Sequence, residues 1–148
     1  MIKASIILDN KIWKKDIKNP KNFFNNKLKL LSNIKIFEKK NHYLTILLTT
    51  NKVIKKLNNK FRKKNKITDV LSFPFQDKIR KNSYLGDIAI SYEIVKKRSY
   101  NSNFTTELDK MWIHGLLHLL GYNHEKLKDC HKMFDKEKLI LKHFYAKN

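Results

Sequence analysis

Three of the six histidines in this chain fall within eleven residues, in the run His114-Gly115-Leu116-Leu117-His118-Leu119-Leu120-Gly121-Tyr122-Asn123-His124. That run constrains the fold more than any other stretch. His114 and His118 are four apart in an apolar segment, so a helix sets both imidazoles on one face, one turn apart, able to share one metal ion. A straight helix cannot bring His124 to the same ion. Gly121 solves this: a glycine in the left-handed region ends the helix and turns the chain, so that His124 swings back as third ligand. Three neutral imidazoles with an open fourth position describe a catalytic zinc site rather than a structural one. His42, His131 and His143 lack such spacing and read as solvated or capping residues.

Length and charge narrow the setting. A chain of 148 residues makes one domain, residues 1–148, and buries enough surface to fold without disulfides. The lone Cys130 rules out an internal disulfide framework and a Cys-based zinc finger, and fits a reducing compartment. Lys plus Arg total 33 against 13 Asp plus Glu, a net charge of +20. Such a surface attracts polyanions, nucleic acid first and an anionic membrane second. Arginine stands only at positions 62, 80 and 98, which leaves 30 lysines. Lys, Asn and Ile share AT-rich codons, so genomic drift could supply much of this charge, and rare residues such as Gly86, Gly115 and Gly121 carry more information. The apolar run Ile6-Ile7-Leu8 is too short for a secretory signal, and no stretch is long enough to span a membrane. A single cytoplasmic domain is the expectation.

Spacing predicts strands over 2–8, 43–49, 70–75 and 88–91, and helices over 21–38, 51–62 and 93–99. Thr106 followed by Asp109 has capping-box spacing and opens the histidine helix, with Leu108, Met111, Trp112, Leu116 and Leu119 as its apolar stripe. A last amphipathic helix is predicted over 126–146. This order argues an α+β fold with a small mixed sheet packed with helices.

The histidine spacing matches the H-E-x-x-H-x-x-G-x-x-H zinc helix of metzincin proteases, except that Gly115 replaces the glutamate that activates water. The metal site is kept and the protease's base is lost, which argues against peptide hydrolysis. The run as a whole resembles the H-G-x-L-H-L-x-G-Y-D-H signature of the YbeY endoribonuclease and rRNA maturation factor family. Three more blocks agree in the same order. Leu57-Asn58, Phe61-Arg62 and Thr68-Asp69-Val70-Leu71-Ser72-Phe73-Pro74 form the first, Leu85-Gly86-Asp87-Ile88-Ala89-Ile90-Ser91 the second, and Met133 and Glu137 with Ile140-Leu141 the third. The resemblance covers about residues 43–141; residues 1–42 agree only in layout. Asn123 departs from the family's usual Asp and carries no charge.

The resemblance implies a four-stranded sheet and a single-strand-specific metallo-endoribonuclease, with one zinc ion on His114, His118 and His124. Its substrate would be single-stranded RNA, the 16S rRNA precursor, and not DNA. It would form the 3′ end of 16S rRNA and act in late quality control of the small ribosomal subunit and 70S ribosome. Phosphodiester cleavage needs charge neutralisation at the phosphoryl oxygens. In Lys60-Phe61-Arg62-Lys63-Lys64, Arg62 has the planar fork for phosphate, with Lys63 and Lys64 beside it as substrate-binding residues. Arg62 and His114 are the candidate catalytic residues. Asp69 and Asp87 are candidates to orient water or a histidine, with a structural role weighed ahead of that for both. Phe73, Phe75, Tyr84, Tyr92 and Trp112 read as core rather than stacking platforms, and Cys130 as an inert thiol. The competing readings are a zinc hydrolase of another substrate, peptidase included, and a non-catalytic ribosome-associated factor.

Overall fold

A computed structural model describes residues 1–75 and 82–146. Four strands, β1 (Ile2–Leu8), β2 (Asn41–Thr49), β3 (Val70–Pro74) and β4 (Asn82–Ser91), form one sheet in the order β1-β2-β4-β3. β1, β2 and β4 run parallel and β3 is antiparallel to β4, the mixed α+β sheet expected. The helices are α1 (Pro20–Ser32), α2 (Asn51–Arg62), α3 (Tyr92–Arg98), α4 (Phe104–Leu119) and α5 (Leu127–Phe144). No helix among the described residues is long and apolar enough to cross a membrane.

Alternation along β2 sets the layers: His42, Leu44, Ile46 and Leu48 point to one face and are buried there. That face carries the main core, in which Trp13, Phe24, Trp112 and Leu116 are fully buried. α1, α4 and α5 supply its helical side. α2 lies on the opposite face, where Ile54 packs on Leu71 and Ala89 at the β3–β4 end.

Several boundaries differ from expectation. α1 is capped by Asn19, whose side chain accepts from the Asn22 amide, with Pro20 in the first turn. It ends at Ser32 rather than continuing to residue 38. There the Ser32 hydroxyl donates back to the Leu28 carbonyl, and a short 3-10 turn, Lys35–Phe37, buries Phe37 in the core. Packing of Phe37 overrides the helical spacing. α4 starts earlier, at Phe104, because Asn103 caps the Thr105 and Thr106 amides. Thr106 is therefore not the cap, and Asp109 is no capping-box partner: it is fully buried. β4 begins at Asn82, six residues before the predicted start, and passes through a register shift opposite Tyr43/Leu44. At that shift a Cβ on Gly86 would lie 2.2 Å from the Phe73 carbonyl oxygen, so no larger residue fits.

His42 is buried, not solvated, and its Nε2 has no hydrogen-bond partner among the described residues. Burial lowers its pKa below the usual 6.5, Lys40 and the N-terminal amine add to this, and hydrogen bonding at Ser83 opposes it. Below about pH 6.5 the unfolded chain thus takes up a proton that the folded chain refuses. The stability this neutral histidine contributes is complete above its ordinary value and is lost as pH falls toward its depressed one. Urea unfolding from about pH 7.5 to about pH 5.5 should show a smaller acid loss in His42→Leu than in the wild-type chain. Identical losses in the two chains would contradict this role for His42.

Candidate metal centre

α4 sets His114 and His118 one turn apart, with ring centroids 4.6 Å apart and their Nε2 atoms 3.0 Å apart. The helix then stops in a Schellman turn. Gly121 takes φ +94°, its amide donates to the His118 carbonyl, and the Tyr122 amide donates to the Leu117 carbonyl, both at 3.0 Å. This is the turn predicted at Gly121. It returns the chain so that the His124 ring lies 5.6 Å from His114 and 5.0 Å from His118. One ligand atom from each of the three lies within 4.8 Å of the others.

The outer nitrogens fix the tautomers. The His118 Nδ1 proton goes to the Tyr122 carbonyl at 3.0 Å, since a carbonyl can only accept. His114 Nδ1 lies 2.5 Å from a carboxylate oxygen of Glu137 on α5 and likewise carries the proton. With both Nδ1 atoms turned outward, the two Nε2 atoms face each other across 3.0 Å, where a shared proton or a metal ion can be held between them. Two ligands on a tetrahedral ion at ordinary zinc–nitrogen distances are about 3.3 Å apart, close to this spacing. Burial, first, and then the neighbouring His114 hold the His118 pKa below its ordinary value, while the Tyr122 carbonyl opposes them. The neutral, ligating form is favoured. Carboxylate behind imidazole is the usual support of a metal-binding histidine.

The histidines open into a cleft of about 360 Å³ that also takes in Arg62, Thr68 and Asp69. Arg62, at the end of α2, donates from Nη2 to the Ser72 carbonyl at 2.7 Å, and its guanidinium lies 5.8 Å from the Phe73 ring centroid. No carboxylate among the described residues pairs with it, so the rest of its fork is available to an anion. Lys63 and Lys64 are exposed beyond the helix end and do not line the cleft. Asp69 does line it, but both its oxygens are engaged, Oδ1 with the Val70 amide at 2.8 Å and Oδ2 with Arg98 at 2.7 Å. Asp87 lies on the other face of the sheet, where the Tyr84 hydroxyl donates to it. A Cβ on Gly115 would sit 3.0 Å from Ile88 and 3.1 Å from Ser72 and Val70, so a glutamate there has to displace the helix–sheet packing. Cys130 is exposed and outside the ligand cluster, its Sγ 3.6 Å from the His124 carbonyl oxygen. Trp112 and Tyr92 are core as expected, whereas Phe75 is exposed.

Glu137 is the residue whose role sequence reasoning missed, although it stood in a quoted motif. Its signal is an acid on the apolar stripe of α5, four after Met133 and three before Ile140, both buried. Its partner depends on how α5 packs after the Gly121 turn.

A mixed four-stranded sheet with a three-histidine, arginine-rimmed cleft at one edge defines an α+β domain whose histidine cluster could hold a metal ion. A family model described as Endoribonuclease YbeY matches residues 7–145, and the chain belongs to that family. The Endoribonuclease YbeY of Pelagibacter ubique is 50% identical over 99% of both chains, and that of Ehrlichia canis 40% identical over 93% of this chain and 90% of its own. Among solved structures, TM1509 from Thermotoga maritima is similar with a TM-score of 0.69 and 28% identity, covering 97% of this chain and 90% of that one.

Glu137→Gln keeps the shape of the carboxylate but weakens its hold on the His114 proton. Competition with a chromogenic chelator, using zinc as probe, should show affinity falling by about 10- to 100-fold. Unchanged affinity would remove Glu137 from the site.

Proposed function

We propose that this chain is a zinc-dependent endoribonuclease that cuts single-stranded RNA, acting on the 16S rRNA precursor to form its 3′ end and in late quality control of the small ribosomal subunit. The observation that carries the reading is the meeting of Arg62 with His114, His118 and His124 in one cleft. Zinc on the three imidazoles would supply Lewis acidity toward a phosphoryl oxygen and a more acidic water. Among the described residues no fourth protein ligand joins the cluster, and Glu137 is spent on His114 Nδ1, which leaves a coordination position for substrate. This favours an enzyme over a scaffold whose metal only ties helices together.

The chain's own groups do the positioning. The Ser72 carbonyl fixes one nitrogen of Arg62, and Arg62 lines the cleft, so its remaining donors can serve to grip phosphoryl oxygens as charge develops on them. Lys63 and Lys64 raise the local positive potential at the rim and draw the RNA backbone in. A peptidase is disfavoured, since position 115 holds no base. The cytoplasm is the proposed compartment, where an exposed thiol such as Cys130 stays reduced.

The test is cleavage of a single-stranded RNA carrying an unprocessed 16S 3′ end. The zinc-loaded chain should cut, and chelator should stop it while the fold largely survives. His118→Ala, purified identically, should be inert. Arg62→Lys should keep its zinc yet lose about 100-fold or more in rate, the usual cost of removing a fixed donor to a developing oxyanion. Near-wild-type rates in Arg62→Lys would sink the arginine's role, and equal cutting by His118→Ala would mark the activity as contamination. Product ends then report the nucleophile, a 2′,3′-cyclic phosphate meaning that the 2′-hydroxyl attacks.

A further inference from the structure

Among the described residues, the sheet face opposite α1, α4 and α5 is covered by α2 at one end. Register places its side chains in cross-strand rows. Ile7, Leu47, Ala89 and Leu71 make the first, and Ile54 and Leu57 of α2 pack against that row. In the next rows, Ser5–Thr45–Asp87–Phe73 and Lys3–Tyr43–Tyr84, the end of α2 reaches Phe73, through Leu57 and Phe61, and leaves Ser5, Lys3 and Tyr43 exposed. A groove of about 530 Å³ lies between the first two rows and the last turn of α2. Three aromatic residues lie at or beside it with their rings in solvent: Phe61 is 59% exposed, Tyr43 48% and Phe75 64%. Edge contacts brace two of them, Phe61 on Phe73 at 5.4 Å and Phe75 on Tyr84 at 5.6 Å.

Scattered exposed aromatics are ordinary; charge and continuity make these different. From Lys52 to Lys66, along α2 and just past its end, the chain holds seven lysines and Arg62 with no acidic residue, while the α2 residues lining the groove itself are Leu57 and Phe61. Asp87 is the one acid lining the groove among the described residues, and it accepts from Tyr84. Cations flanking exposed rings are how single strands are held without sequence preference, phosphates on the cations and bases on the rings. The groove also adjoins the histidine cleft. β3 separates them: Val70, Ser72 and Pro74 line the cleft, and Phe73 lines the groove. Arg62 reaches both, since it lines the cleft and lies over the Phe73 ring. β3 is an edge strand, and strands are about 4.8 Å apart, so a chain leaving the cleft over that edge meets the rings within a few nucleotides.

We propose that the exposed end of this sheet face, with Phe61, Tyr43 and Phe75, is a stacking platform for single-stranded RNA that runs on from the histidine cleft. The platform rests on the endoribonuclease reading for its ligand and extends it to a second contact region on the opposite face. It sets a minimum useful substrate length, because a strand confined to the cleft gains nothing from the rings.

The experiment compares fluorescein-labelled single-stranded RNAs of about four and about twelve nucleotides, by anisotropy in chelator so that neither is cut, on the wild-type chain and on Tyr43→Ala/Phe61→Ala. The longer RNA should bind the wild-type chain at least about 10-fold more tightly than the shorter, and the double variant should lose about 10- to 100-fold on the longer RNA, so that the length advantage collapses. Crosslinking of a 4-thiouridine strand to the wild-type chain, which needs no variant to fold, should label peptides holding Tyr43, Phe61 or Phe75. A length advantage that survives in a folded double variant overturns the platform, as do crosslinks confined to α1 and α5. A variant that keeps its RNA affinity but no longer binds purified small ribosomal subunits also overturns it, by making this a protein-facing surface. A wild-type chain that shows the length advantage yet never cuts RNA overturns the endoribonuclease reading and leaves the platform standing.

Discussion

The close approach of α4 to the edge of the sheet is the constraint on which the cleft depends. Gly115 permits it, with Ile88, Ser72 and Val70 filling the space a side chain would need. Ser72 then acts in two directions. Its hydroxyl donates to the Gly115 carbonyl at 3.0 Å, and its own carbonyl accepts from Arg62 at 2.7 Å. One residue of β3 thus sets both the depth of the histidine helix and the reach of the arginine. The phosphate-binding group and the metal ligands are referred to a strand of the sheet rather than to a loop, which is what holds a reactive geometry to within a fraction of an ångström.

The other side of α4 is secured by a buried charge. Asp109 has no exposure, and it is reached by Trp112 Nε1 at 2.9 Å, by Lys27 of α1 at 2.9 Å, and by the Tyr145 hydroxyl just after α5. Burial, then the bond to Asp109, pushes the Tyr145 pKa up to about 12, so the phenol stays a donor. Removing one partner from such a group leaves a desolvated charge, at a cost of about 3–5 kcal/mol. The network joins α1, α4 and the end of α5, and so fixes how α5 lies across α4. Glu137 inherits its place behind His114 from that packing. A polar cluster outside the cleft thereby supports the imidazole inside it.

What was legible in the sequence was local. His114, His118 and Gly121 announced themselves because helix periodicity and a left-handed turn are properties of a few neighbouring residues. The strands β1 and β2 read correctly from apolar content. Failure came where distant packing decides. Asp109 has capping-box spacing from Thr106, yet its partners sit on α1 and after α5, and Asn103 outcompetes Thr106 for the cap. His42 looked polar enough to be solvated, but alternation along β2 turns it to the core face with Leu44 and Ile46. Glu137 required the relative placement of two helices. Phe75 and Phe61 were hidden because α2 covers only one end of its face of the sheet, and that extent is not written in periodicity.

The composition also reads differently once side chains are placed. A net charge of +20 made mostly of lysine is a diffuse field, and compositional drift can supply it. Arginine is rare here, and both described arginines bracket one cleft, Arg62 on the Ser72 carbonyl and Arg98 on Asp69. The Arg62 position does not suit lysine, since it spends one nitrogen on the Ser72 carbonyl and keeps the rest of a planar fork over Phe73 and the cleft. Glycine is just as sparing: Gly86 clears a carbonyl, Gly115 seats α4, and Gly121 turns the chain to His124. In a chain free to fill its surface with lysine, the residues that resist that bias collect where geometry is exacting. The lysines then govern how strongly a polyanion is attracted, and the arginines and glycines govern where along it the histidines come to rest.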